Sequence, residues 1–173
     1  MQKIVFSGLA ALLMSCETHK PVSQTPAVPE ISKGLVYRGI VVEGSLEYQQ
    51  NIVPALELIY QKDPWSWAIV RDNINTIRYN PPSGMHVYAG IYDTDDNKTT
   101  PTKYQPLPWV AGEIVHDAWH REYFHRGEAY DGREGEKKCM ERQNEFFRKI
   151  GYPLLNIEAL LNTRYWDVQQ RWW

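Results

Sequence analysis

His116 and His120 lie four residues apart within residues 109–124, a stretch that contains no proline. This spacing constrains the chain more than any other feature. On a helix, side chains four residues apart share one face, one turn above the other. Two imidazoles stacked in this way can grip a single metal ion. The local signals favour a helix. Pro106 and Pro108 stand just before the stretch, as helix-start signals do, and Gly127 is placed to end it. Val110, Ile114, Val115, Trp109 and Trp119 make the segment largely apolar, as expected of a helix that crosses a core and turns its polar residues inward. Arg121 and Arg126 suit the negative end of the helix dipole.

A second helix is expected over residues 134–150, after a loop rich in glycine and charge, and is closed by Gly151 and Pro153. Glu136, Cys139, Gln143, Phe146 and Phe147 recur there at helical spacing. A carboxylate from a neighbouring helix is the usual third donor of a His/His/Glu zinc site, which leaves the fourth position open. Glu134, Glu136 and Glu141 are the candidates. Glu136 shares the inward face with Cys139 and Gln143, whereas Glu141 sits among Arg142 and Lys138 on a charged one, so Glu136 is chosen. Cys139 is the less favoured alternative donor, and a small buried hydrophobe is its simpler role.

The segment His116-Asp117-Ala-Trp-His120, followed by Gly135-Glu-Lys-Lys-Cys-Met-Glu-Arg-Gln143, resembles the zincin superfamily of metallopeptidases, in its gluzincin-like branch with minimal domains. The resemblance covers about residues 45–151 and takes in a leading helix over residues 46–61 and strands over 76–79 and 85–89. It implies an α+β domain with a small sheet packed on the metal-binding helix and a second, glutamate-bearing helix. It also implies that His116, His120 and Glu136 hold Zn2+ and that substrate lies along a strand edge ahead of the metal helix. Asp117 stands where the H-E-x-x-H signature has its glutamate, the general base. Aspartate keeps the carboxylate but is shorter by a methylene, while a general base must come within ~2.6–3.2 Å of the proton it takes. Glu113, one turn before His116, borders the same face and is the alternative base or a hydrogen-bond partner for a histidine.

His125 and His86 stay outside the ligand set. His125 is five residues from His120 with no intervening glycine, and His86 falls in a strand, where contact with substrate is the role open to it. The adjacent pair His116-Asp117 also resembles the metal-dependent HD phosphohydrolases. Those are all-helical and draw a further histidine from a helix, whereas the upstream histidine here lies in a strand-like segment.

The N-terminus has a short basic start at Lys3, an apolar run over residues 4–14, and Leu13-Met-Ser-Cys16. The run is too short to span a membrane as a helix. It resembles a bacterial lipoprotein signal, which implies cleavage before Cys16 and lipid on its sulfur and amino group. Several acyl chains anchor stably where one does not. The expected organisation is a signal peptide (1–15), a lipidated flexible tether (16–34) and one zincin-like domain (35–173). Glu17 after the cysteine points to the outer membrane, facing the periplasm or the surface. With Cys16 lipidated, Cys139 has no disulfide partner.

A net charge of −2 and the lack of a basic run give no reason to expect a nucleic-acid partner. Seven tryptophans and eleven tyrosines are enough to build an aromatic core, and Trp65, Trp67, Trp109 and Trp119 are assigned to it. Leu154, Ile157, Leu161, Tyr165, Val168 and Trp172 recur three or four apart, as in a C-terminal amphipathic helix. The residues specify no oligomeric state. Two functions fit: a zinc peptidase or peptidoglycan amide hydrolase, and a metal-stabilised module that holds a peptide or protein partner without cutting it.

Overall fold

The computed structural model describes residues 32–95 and 105–162, an α+β arrangement with one mixed five-stranded sheet. Strands β1 (Ser32–Tyr37) and β2 (Ile40–Gly44) form an antiparallel hairpin in which Tyr37 pairs with Ile40. The two-residue turn places Arg38 at φ 47° and Gly39 at φ 95°, the positive values that let a tight hairpin follow the strand twist. Arg38 is held in this conformation by stacking 3.6 Å above the Tyr60 ring. Helix α1 (Leu46–Lys62) starts at Ser45, whose hydroxyl accepts from the Tyr48 amide at 3.2 Å. Its inward face, Tyr48, Ile52, Ala55, Leu56 and Ile59, keeps the helical period. Helix α2 (Pro64–Asn73) follows at once. Asp63 caps it, accepting from Ser66 Oγ at 2.6 Å and from Lys149 Nζ at 2.8 Å.

The remaining strands are β3 (Thr76–Tyr79), β4 (Gly84–His86) and β5 (Ile91–Thr94), and the sheet order is β1-β2-β3-β5-β4. The β2–β3 and β3–β5 pairs are parallel, and β4 runs antiparallel to β5 at the edge. Register aligns Val42, Ile77, Tyr92 and Met85 in one row across four strands, all buried. This row faces α1 and the metal-candidate helix α3 (Leu107–His125). The next row, Glu43, Arg78 and Asp93, lies on the other side of the sheet. There Asp93 accepts from Arg78 Nε at 2.6 Å and Asn80 Nδ2 at 2.7 Å, and pairs with His86 Nε2 at 2.7 Å. A sheet with one apolar and one polar row needs helices on only one face.

Helix α4 (Gly132–Ile150) packs along α3 and ends at Gly151, whose φ of 70° makes the left-handed cap. Gly112 sets the approach of the two helices. A Cβ there would sit 2.2 Å from the Phe147 ring and 3.1 Å from Gln143 Nε2, so only glycine lets α4 come this close. No helix among the described residues is long and apolar enough to cross a membrane.

Several expectations need correction. Strand β1 begins at Ser32, inside the segment assigned to the tether. The strand expected over 85–89 ends at His86, because the chain turns through Gly90 at φ 68° and the Ala89 and Gly90 amides both return to the His86 carbonyl. Trp65 is 45% exposed on the outer end of α2. Leu154 lies outside any helix and is exposed; the short helix α5 (Ile157–Leu161) begins only where Asn156 caps it. Cys16, Tyr165, Val168 and Trp172 lie outside the described residues.

Candidate metal centre

His116 and His120 lie one turn apart on α3, and Glu136 and Cys139 one turn apart on α4. Close packing at Gly112 brings these two pairs face to face. His116 Nε2 is 3.0 Å from His120 Nε2 and 3.1 Å from Glu136 Oε2, and His120 Nε2 is 3.5 Å from Glu136 Oε1. Donor atoms bound at 2.0–2.1 Å around a tetrahedral zinc are roughly 3.3 Å apart, and the two imidazole nitrogens and the Glu136 carboxylate, which meets each histidine through a different oxygen, have spacings close to that. His120, Glu136 and Cys139 are buried, while Glu134 and Glu141 are exposed. Of the three candidate glutamates, only Glu136 reaches the imidazoles.

The backbone fixes the orientation of His120. Its Nδ1 donates to the Tyr130 carbonyl, which keeps a proton on Nδ1 and turns Nε2 toward His116 and Glu136. A metal-binding imidazole is oriented in the same way by an outer hydrogen bond. Gly135 allows this contact, because a Cβ there would stand 2.4 Å from the Tyr130 carbonyl carbon. Arg121, next to His120, donates to the Val87 carbonyl at 3.0 Å and the Asn73 carbonyl at 2.8 Å, tying α3 to the turn after β4 and to the end of α2. His116 is held less tightly: its buried Nδ1 has no hydrogen-bond partner among the described residues.

The electrostatics of the cluster favour a cation. Burial opposes an imidazolium at His120, but Cys139, Glu136 and Asp117 outweigh it and hold its pKa well above the ordinary 6.5. Burial pushes the Cys139 thiol up, against the opposing pull of His120. Asp117 is half-buried on α3. Its charge is felt by His120 and Cys139, and together with Glu113 it adds to the burial that raises the pKa of Tyr92 on β5. Both acids therefore act on Tyr92, and Asp117 acts on His120 as well. His86 is on the polar side of the sheet, held by Asp93, and His125 is exposed. Neither joins the cluster.

Comparison with known proteins finds no matching family model, no matching curated protein and no matching solved structure. The functional reading therefore rests on the geometry of the site.

Two contributions to the site have little or no sequence signal. The Tyr130 carbonyl is a backbone atom, and no residue type announces it. Gly112 and Gly135 are small residues on the contact faces of the two helices, and only a close-packing argument would have singled them out. Cys139 was weighed as a donor behind Glu136; the structure puts its sulfur within 4.8 Å of a ring nitrogen of each histidine.

Proposed function

We propose that this chain is a zinc-dependent hydrolase of amide bonds, a zincin-like domain acting on a peptide or on peptidoglycan at a bacterial cell envelope. The observation that carries this reading is the convergence of His116 Nε2, His120 Nε2 and the Glu136 carboxylate at tetrahedral spacing. The order of elements agrees with it: β4 runs antiparallel at the sheet edge and touches α3, where the zincin resemblance puts the substrate.

Zinc held by this set supplies a Lewis acid that polarises a carbonyl and makes water easier to deprotonate. The chain's own groups do the rest. Tyr130 keeps the His120 ring in one tautomer and one orientation. Asp117, adjacent to His116 in sequence, takes the proton of the attacking water, and Glu113 lies one turn earlier on the same helix. The test is hydrolysis of peptides and peptidoglycan fragments by the purified protein, before and after chelation. Activity lost on chelation and restored by zinc is expected; a rate indifferent to chelation refutes the reading.

The second reading is a metal-stabilised module that holds its partner without cutting. It is favoured by the short side chain at Asp117 and by the sulfur of Cys139 beside both imidazoles. Binding of a peptide that is recovered intact, with no turnover under any metal loading, would establish it.

Envelope attachment belongs to the same proposal and rests on the sequence ending at Cys16. Expressed in a bacterium, the Cys16→Ser protein is expected in the soluble fraction and the wild type with membranes. Retention of the variant on membranes would rule out the anchor.

A further inference from the structure

Cys139 is the one buried group at this site that the hydrolase reading leaves without a task. It is fully buried on α4 and has no disulfide partner among the described residues. Its position is set by helix geometry. Three residues after Glu136, it shares the face that meets α3, and Phe146, Phe147 and Gln143 further along the helix are buried with it. The His116, His120 and Cys139 donor atoms all lie within 4.8 Å of one another. A zinc-bound sulfur at about 2.3 Å stands roughly 3.6 Å from a zinc-bound nitrogen. The sulfur thus stands at most roughly 1.2 Å beyond that separation from a ring nitrogen of each histidine. Among the described residues, the histidine, cysteine and acidic side chains that cluster this closely are His116, His120 and Cys139, and Glu136 adjoins them through its 3.1 Å and 3.5 Å approaches to the two imidazoles.

We propose that Cys139 is a fourth donor to the metal held by His116, His120 and Glu136, so that a thiolate closes the centre in the resting protein. This rests on the metal reading above and deepens it. A catalytic zinc site keeps its fourth position for water or substrate, whereas a structural site fills all four with protein atoms. A centre closed by Cys139 is of the second kind at rest. It performs hydrolysis only when substrate or water displaces the sulfur, which then leaves as a thiol after taking up one proton. Metal binding supplies the reverse step: a coordinating thiol loses its proton outright, and thiolate is a soft donor that suits zinc and cobalt.

The test loads the purified full chain with cobalt(II) and follows the near-ultraviolet sulfur-to-cobalt charge-transfer band, which nitrogen and oxygen donors do not give. The expected result is a band in the wild type that persists unchanged in Cys16→Ser. In Cys139→Ser it is lost, although that variant still binds about one cobalt per chain through the two histidines and Glu136. Cobalt bound by the wild type without the band overturns the role of Cys139 and leaves the three-donor centre standing. So does a band that vanishes with Cys16→Ser. A wild type that binds no cobalt and no zinc overturns the metal reading itself. The wild-type and Cys16→Ser measurements decide the matter even if Cys139→Ser fails to fold.

Discussion

Chelation of the wild-type protein is expected to lower its thermal midpoint, and His116→Ala/His120→Ala to lower it as far without further response to chelator. A ligand that binds only the folded state stabilises it by RT ln(1 + [L]/Kd), about 2.7 kcal/mol when free metal is a hundredfold above Kd. For a domain of this size each kcal/mol shifts the midpoint by roughly 3–6 °C, so the fall is of order 10 °C. The structure gives a second reason for a large effect. Without a cation, the Glu136 carboxylate is buried against two imidazoles. Replacing both histidines removes their nitrogens from this buried carboxylate, and taking partners from a buried charge is costly. Thermal melts of both proteins, with and without chelator, check this. Equal midpoints in all four samples would mean that no metal supports the fold.

The second large effect concerns Asp117. Asp117→Asn keeps the shape of the side chain and removes its ability to accept a proton. It is expected to retain the metal and lose hydrolysis by about 10²–10⁴-fold, the usual contribution of a general base. Asp117→Glu restores the reach of the H-E-x-x-H signature and is expected to hold or raise activity. Asp117 is half-buried, and thermal melts of both variants check that each still folds. Rates and metal content measured together separate the possible outcomes. An Asp117→Asn protein of full activity transfers the role of base to Glu113. A silent wild type whose Asp117→Glu variant cuts identifies a metal site that has lost its base, and favours the binding module.

Long elements with regular signals were legible in the sequence. The two site helices each carry an unbroken helical period and a glycine near the end, and they occupy Leu107–His125 and Gly132–Ile150, close to where the periodicity puts them. Thr76–Tyr79 and the leading helix were legible for the same reason. Short elements were not. The hairpin β1–β2 depends on Arg38 adopting a positive φ, which a composition-based reading does not anticipate, and β5 is a four-residue strand whose parallel partner β3 lies further back along the chain. Helix α2 is a short element opened by Pro64, which at the first position of a helix serves as a start. At the C-terminus, apolar spacing extends upstream to Leu154, but the chain there is extended and helix begins only after the Asn156 cap. Spacing alone cannot supply a start signal.

The site divides along the same line. The histidine pair and Glu136 are side chains on two periodic helices, and their faces follow from the spacing. What makes the site close is tertiary: the glycines at 112 and 135, the Tyr130 carbonyl on His120, and the approach of the Cys139 sulfur. Each depends on how two helices meet, which no single stretch of sequence encodes.

Zinc content decides whether the cluster between α3 and α4 is a metal centre. The most direct measurement is the zinc content of wild-type protein and His116→Ala/His120→Ala, purified side by side without added metal. About one zinc per chain is expected in the wild type and none in the double variant. Full zinc in the double variant, or none in a folded wild type supplied with zinc, would contradict it.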